Sequence, residues 1–327
     1  MVFLFRDKSI INLFFLALLC IGVHVHLFMV APVVLSHTDD GVFSFFLKQY
    51  IVGLPQTVLV VLYLGIVLFQ AIRLNLILNN FRMFPQNTYV PAMTFILLTG
   101  ILPQWSSISS AMLANFLLLW LFARLSKLYN NPSPKTLLFN TGLIIGLSVI
   151  CYHPTALLII VVLLALMEVR PFNTAEWVVL LMGIVLPYYF LFSWFFLKDE
   201  LSHFLSYLPS VQLTLPLQHW SENLVFELSF LLIVLLLGLY YWQVFNQRMV
   251  IQIRKNWGMM ATMLVILLPI PFIFTNSGIE SAFMALVPIA VFSSNAFSFP
   301  RRLILPNLLF WLSVVLIAYN NWVFIKN

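Results

Sequence analysis

The chain has 327 residues, 62% of them hydrophobic and only 8% charged, with a formal net charge of +6. Soluble domains carry about 25% charged residues, so this composition excludes an ordinary soluble protein. The positive charge is no nucleic-acid signal either, because the basic residues sit in short loops beside apolar runs, where they anchor membrane helices.

A helix needs about 20 apolar residues to cross the hydrocarbon core, and fewer where it lies inside a bundle. On that measure the sequence predicts an all-α, polytopic membrane protein with about eleven transmembrane helices. The first apolar run, Ile10–Leu35, exceeds a signal-peptide core and lacks a small-x-small cleavage site, so it reads as a membrane helix. The loop Ser36–Gly41 follows, then an aromatic stretch, Val42–Tyr50, suited to the outer interface. The second helix, Ile51–Leu76, leads to a loop with Arg82 and Pro85.

The next four helices are short. Val90–Leu102 and Ile108–Leu125 form a hairpin around the polar turn Pro103–Ser107. Leu137–Tyr152 and Thr155–Val169 form another around His153-Pro154. Between the hairpins lies Asn130-Asn131-Pro132-Ser133-Pro134-Lys135, a strong breaker. Short helices packed within protein can stop below the outer interface and leave a polar recess. The seventh helix, Ala175–Leu197, precedes the longest outer segment, residues 198–223. Leu224–Phe245, Trp257–Thr275, Ser281–Phe299 and Leu303–Tyr319 complete the set, with Pro269 and Pro271 kinking the ninth. A single membrane-embedded domain, 1–327, accounts for the whole.

Threaded this way, thirteen of the sixteen Lys and Arg residues share one side. They are Arg6, Lys8, Arg73, Arg82, Arg124, Lys127, Lys135, Arg170, Arg248, Arg254, Lys255, Arg301 and Arg302, leaving Lys48, Lys198 and Lys326 opposite. By the positive-inside rule the N-terminus is cytoplasmic and the C-terminus external. Seven carboxylates face out: Asp39, Asp40, Asp199, Glu200, Glu222, Glu227 and Glu280.

That outer side carries the candidate chemistry. In His37-Thr38-Asp39-Asp40, adjacent carboxylates repel when both ionise, which raises one pKa into a range useful to a general base. Paired carboxylates can also take a divalent cation, and the same pair serves equally well as a solvated, helix-capping loop. His153 can meet an anionic lipid headgroup, while His153-Pro154 is also a good helix start. Glu227, just inside the eighth helix, is an intramembrane carboxylate and therefore a binding candidate. In Arg170-Pro171-Phe172-Asn173, Asn173 suits a cap and Glu176 a first helical turn, which is a structural use. The six histidines contain no i, i+4 pair, so no metal site is expected. Cys20 and Cys151 lie in apolar runs and read as buried free thiols. Neither GxxxxGK[ST] nor GxSxG occurs.

The segment Gly146-Leu147-Ser148-Val149-Ile150-Cys151-Tyr152-His153-Pro154-Thr155-Ala156-Leu157-Leu158 resembles the Gly-Leu-x-x-x-x-Lys/His-Pro-x-x-x-Leu segment of membrane glycosyltransferases of the C-type fold. Asp39 and Asp40 fall where that family's catalytic carboxylate falls, in the first outer loop. Ser109–Phe116 and Arg170–Asn173 make the chain similar also to a set of multi-pass inner-membrane proteins of Bacteroidota. The resemblance implies a bacterial inner-membrane protein that transfers sugar from a polyprenyl-phosphate donor at the periplasmic face in envelope glycan assembly. Asp39 or Asp40 would be the base or the metal-facing carboxylate, His153 would approach the phosphate, and His37 and Glu227 would complete substrate binding. No cofactor is implied beyond a divalent cation, and the partners are membrane lipid and envelope proteins, with no nucleic acid. The residues leave two other readings open: a non-catalytic membrane subunit or scaffold of an envelope complex, and a lipid or solute transporter.

The orientation is directly testable. A phosphatase reporter fused after Asn327 is expected to be active, and one fused after Asn131 inactive; the reverse pattern would invert the topology.

Overall fold

The computed structural model describes residues 1–7, 9, 11–37, 40–209, 222–274 and 277–326, the side chains of Glu222 and of 323–326 excepted. The described chain is almost wholly helical. In order come α1 (Val2–Arg6), α2 (Ile11–Val23), a two-residue strand β1 (Val34–Leu35), α3 (Val42–Phe46), α4 (Gln56–Asn80), α5 (Val90–Thr99), β2 (Ile108–Ser109), α6 (Ser110–Leu125), α7 (Pro134–Cys151), α8 (Leu157–Val169) and α9 (Thr174–Leu197). They are followed by α10 (Leu201–Phe204), α11 (Glu222–Asn246), α12 (Ile251–Leu267), α13 (Ile270–Ile273), α14 (Leu286–Ser298) and α15 (Ile304–Lys326). Seven stretches are long and apolar enough to cross a membrane: α4, α7, α9, α11, α15, and the runs Ile251–Ile273 and Ile279–Ser298. Four shorter apolar helices occupy the other predicted runs.

The largest departure from the sequence reading is the first run. It is a helix only to Val23; a 3-10 turn, Val25–Phe28, follows, and Val34–Leu35 is extended. Pro32 accounts for the extended end of this stretch, since it lacks an N–H and pushes the residue before it out of the helical region; the helix itself stops well before it, at Val23. The extended piece pairs in parallel with the turn between α5 and α6, Val34 against Ile108 and Leu35 against Ser109. Ser109 then caps α6 by accepting the Met112 N–H at 3.3 Å. Pro55 likewise shifts the second helix to 56–80, and Pro269 and Pro271 divide the ninth into α12 and α13.

At the centre stand α5, buried at all ten positions, and α14, buried from Leu286 to Phe297. A ten-residue helix is about 15 Å long, half the hydrocarbon thickness. Its end is therefore enclosed by protein, and Ser106, Ser107, Ser109 and Ser110 of the following turn are buried. By contrast α9 is peripheral and exposes Val185, Tyr189 and Phe190. It is held by α7 through glycines. A Cβ on Gly183 would lie 2.4 Å from the Phe139 carbonyl oxygen, and one on Gly142 would lie 2.4 Å from that of Leu180. Hydrocarbon gives no hydrophobic drive for helix association, so such close backbone contact is what joins the two helices.

Both ends of the bundle are laced by polar contacts. At the end rich in Arg and Lys, Arg6 donates to the Phe297 carbonyl at 2.6 Å and to Pro300 at 3.0 Å. Arg170 donates to Leu128 and Asn131 and pairs with Glu176 at 3.1 Å. Asn173 caps α9 by accepting the Ala175 N–H at 3.1 Å, so this motif has the structural use its sequence suggests. Lys255 donates to Val169 at 3.0 Å. At the opposite end Asn320 donates to Ile101 at 2.7 Å and Asn321 to Val23 at 3.1 Å.

Replacing Gly183 by Ala is expected to lower the thermal stability of the detergent-solubilised chain by about 1–3 kcal/mol, because rigid backbone lies where the methyl must go. Gly65→Ala, with nothing within 4 Å, is expected to be neutral or stabilising in the same measurement.

Candidate functional site

The acidic end gathers three chain segments that are distant in sequence: the loop after β1, the tip between α7 and α8, and the turn leading into the 3-10 segment Ile279–Ala285. Their contact is made by backbone. Gly41 has φ +102°, a conformation that disfavours L side chains, and its Cα lies against the carbonyl ends of α7. A Cβ there would stand 2.6 Å from the Ile150 oxygen and 2.9 Å from that of Cys151. One residue earlier, the Asp40 carbonyl accepts the His153 N–H at 3.2 Å. Pro154 starts the 3-10 turn beyond, so the His-Pro pair acts as a helix start and as the dock for the first loop.

Asp40 is buried, with 4% of its surface exposed. Its Oδ1 accepts the Ser277 hydroxyl at 2.5 Å. Ser277 also bonds the hydroxyl of Tyr152, which lies at the hairpin tip just past α7. Burial above all, and then the negative charge of Asp40, holds the Tyr152 hydroxyl well above the usual phenol range. Glu280 adds to the same effect, which places both carboxylates around one phenol.

Beside this buried group is a more open one. His37 Nε2 and Glu280 Oε1 lie 2.5 Å apart, with side chains 39% and 14% exposed. The Ser44 hydroxyl, at the start of α3, donates to the His37 carbonyl and fixes the loop on that side. A part-exposed imidazole paired with a carboxylate through one nitrogen is an arrangement that can serve a proton acceptor.

Of the residues singled out in sequence, the fold therefore brings His37, Asp40 and His153 together. Asp39 and Thr38 lie outside the described residues, as does His219. The His153 ring is buried rather than presented at the surface. Glu227 is buried on α11 and meets Asn320 of α15, a partner outside the His37–Asp40 group. Sequence reasoning did not find Glu280, Ser277 or Tyr152 as partners. Glu280 is 243 positions from His37, and no local pattern joins residues at that separation. The only available hint was its place among the outer carboxylates. Among the described residues, no three His, Cys, Asp or Glu side chains form a metal-binding group.

Gly41→Ala is expected to open this junction. Amide exchange at His153, whose N–H is held by Asp40, should accelerate about tenfold or more, while exchange in α5 stays unchanged.

Comparison with known protein families, curated proteins and solved structures finds no match to this chain.

Proposed function

We propose that the chain is a multi-pass protein of a bacterial inner membrane, with eleven crossings, a cytoplasmic N-terminus and a periplasmic C-terminus. In this reading it transfers a sugar from a polyprenyl-phosphate donor at the periplasmic face. The observation that carries the enzymatic reading is the His37–Glu280 pair, half-open beside the buried Asp40–Ser277–Tyr152 group. The membrane assignment is supported by the seven long apolar stretches, and the orientation by the crowding of Arg and Lys at the other end.

The chemistry would run through His37. With Nε2 donating to Glu280, Nδ1 accepts the proton of an acceptor hydroxyl as its oxygen attacks the anomeric carbon. The bond from that carbon to the phosphate oxygen breaks, and polyprenyl phosphate leaves with the electron pair. Glu280 stabilises the imidazolium that forms. Asp40 keeps the loop in place, and a proton-accepting role falls to His37 in preference to Asp40, whose carboxylate is engaged by Ser277.

A second reading has its own support. Asp40 and His153 are joined to each other and to neighbours inside the fold, as expected of a tie in a non-catalytic envelope subunit. His37→Gln and Glu280→Gln separate the two. Each is expected to lower sugar transfer from lipid-linked donor in isolated membranes by about 10²–10⁴-fold at unchanged protein level. Transfer at the wild-type rate in both variants would remove the enzymatic reading and leave the subunit.

A further inference from the structure

We propose that the basic end of the bundle holds a seat for an anionic glycerophospholipid, in a groove between α11 and α15. It lies at the opposite end from His37 and does not rest on the catalytic reading. The groove has a volume of about 570 Å³, and its lining includes Tyr241, Phe245, Phe299, Arg301, Arg302 and Leu308.

Two observations converge there. The first is charge. Arg301 and Arg302 are exposed, and among the described residues no carboxylate pairs with either. They differ in this from Arg6 and Arg170, whose guanidinium groups are taken up by carbonyls and by Glu176. Both also lie just before α15, a 23-residue helix whose N-terminus carries the positive end of the helix dipole and so favours a phosphate.

The second is the apolar wall. The Phe245 and Phe299 rings stack with centroids 4.2 Å apart and planes 14° from parallel, tying α11 to the segment before α15. Leu308 lies further along α15 and is 51% exposed. Cations at the mouth and hydrocarbon beyond match a phosphate headgroup continued by acyl chains, and the cytoplasmic leaflet is where anionic headgroups concentrate. A free phosphate would use only the arginines.

Native mass spectrometry of the full chain, in micelles supplemented with dioleoyl phosphatidylglycerol or dioleoyl phosphatidylcholine, tests the seat. Phosphatidylglycerol adducts are expected to dominate, and R301Q/R302Q to weaken them about tenfold or more. R248Q/R254Q, which removes the same charge from exposed positions at the same end, should leave them intact. Leu308→Trp, which fills the groove without touching charge, should also weaken them and carries the test alone should the arginine variant fail to fold. Equal loss in R248Q/R254Q, undiminished binding in R301Q/R302Q or Leu308→Trp, or displacement of the lipid by inorganic phosphate would each overturn the proposal.

Discussion

The approach of Gly41 to the carbonyl end of α7 is the constraint on which the acidic end depends. It brings a loop backbone to a distance where any side chain would collide with the Ile150 and Cys151 oxygens. Everything else at that end follows from the closeness. The Asp40 carbonyl reaches the His153 N–H, its carboxylate reaches Ser277, and His37, three residues before Asp40, is left where Glu280 can pair with it. A shift of the loop by one side-chain diameter would separate all three contacts at once.

That constraint is transmitted through helices that are themselves placed by small residues. The α7 helix owes its position against α9 to Gly142 and Gly183, since packing contacts rather than water expulsion drive association in hydrocarbon. The short α5 stops within the bundle, and its turn meets β1 through two residues of parallel pairing. An extended segment at that depth is tolerated because protein encloses it and its backbone groups find partners; the Ile108 N–H donates to Val33 at 2.9 Å. The Asp40–Ser277–Tyr152 group thus lies where helix ends meet, each of its three residues in a turn or loop.

Helix placement was legible because hydropathy and proline act locally. The Pro269 and Pro271 break appears where it is expected, and the His153-Pro154 tip does also. The first run misled because its residues stay apolar past Val23, whereas the chain there leaves the helix for a 3-10 turn and an extended pair with β2. Hydropathy registers what a segment can be dissolved in; it does not distinguish helix from extended chain once protein supplies the hydrogen bonds. The candidate site was half legible. His37, Asp40 and His153 stand out as polar residues at one end of an apolar bundle. Their grouping with Glu280, Ser277 and Tyr152 depends on which loops meet, which no spacing records. The Gly142–Gly183 contact was missed for the same reason, because each glycine has meaning only opposite the other helix.

The two ends of the bundle impose different demands on any phosphate-bearing ligand. At the basic end, cations are in surplus and an anionic headgroup has ready partners. The acidic end collects Asp40 and Glu280 and has few lysines to offset them. A polyprenyl-phosphate donor arriving there would meet like charge, so under the proposed reading its affinity has to come from the polyprenyl chain and the sugar. Under the same reading, protonation of His37 during turnover would have a second consequence. It would supply positive charge as the leaving phosphate gains negative charge, an attraction absent from the ground state and already growing at the transition state, where binding energy accelerates reaction. Once His37 passed its proton on, a site poor in fixed cations would release the polyprenyl phosphate.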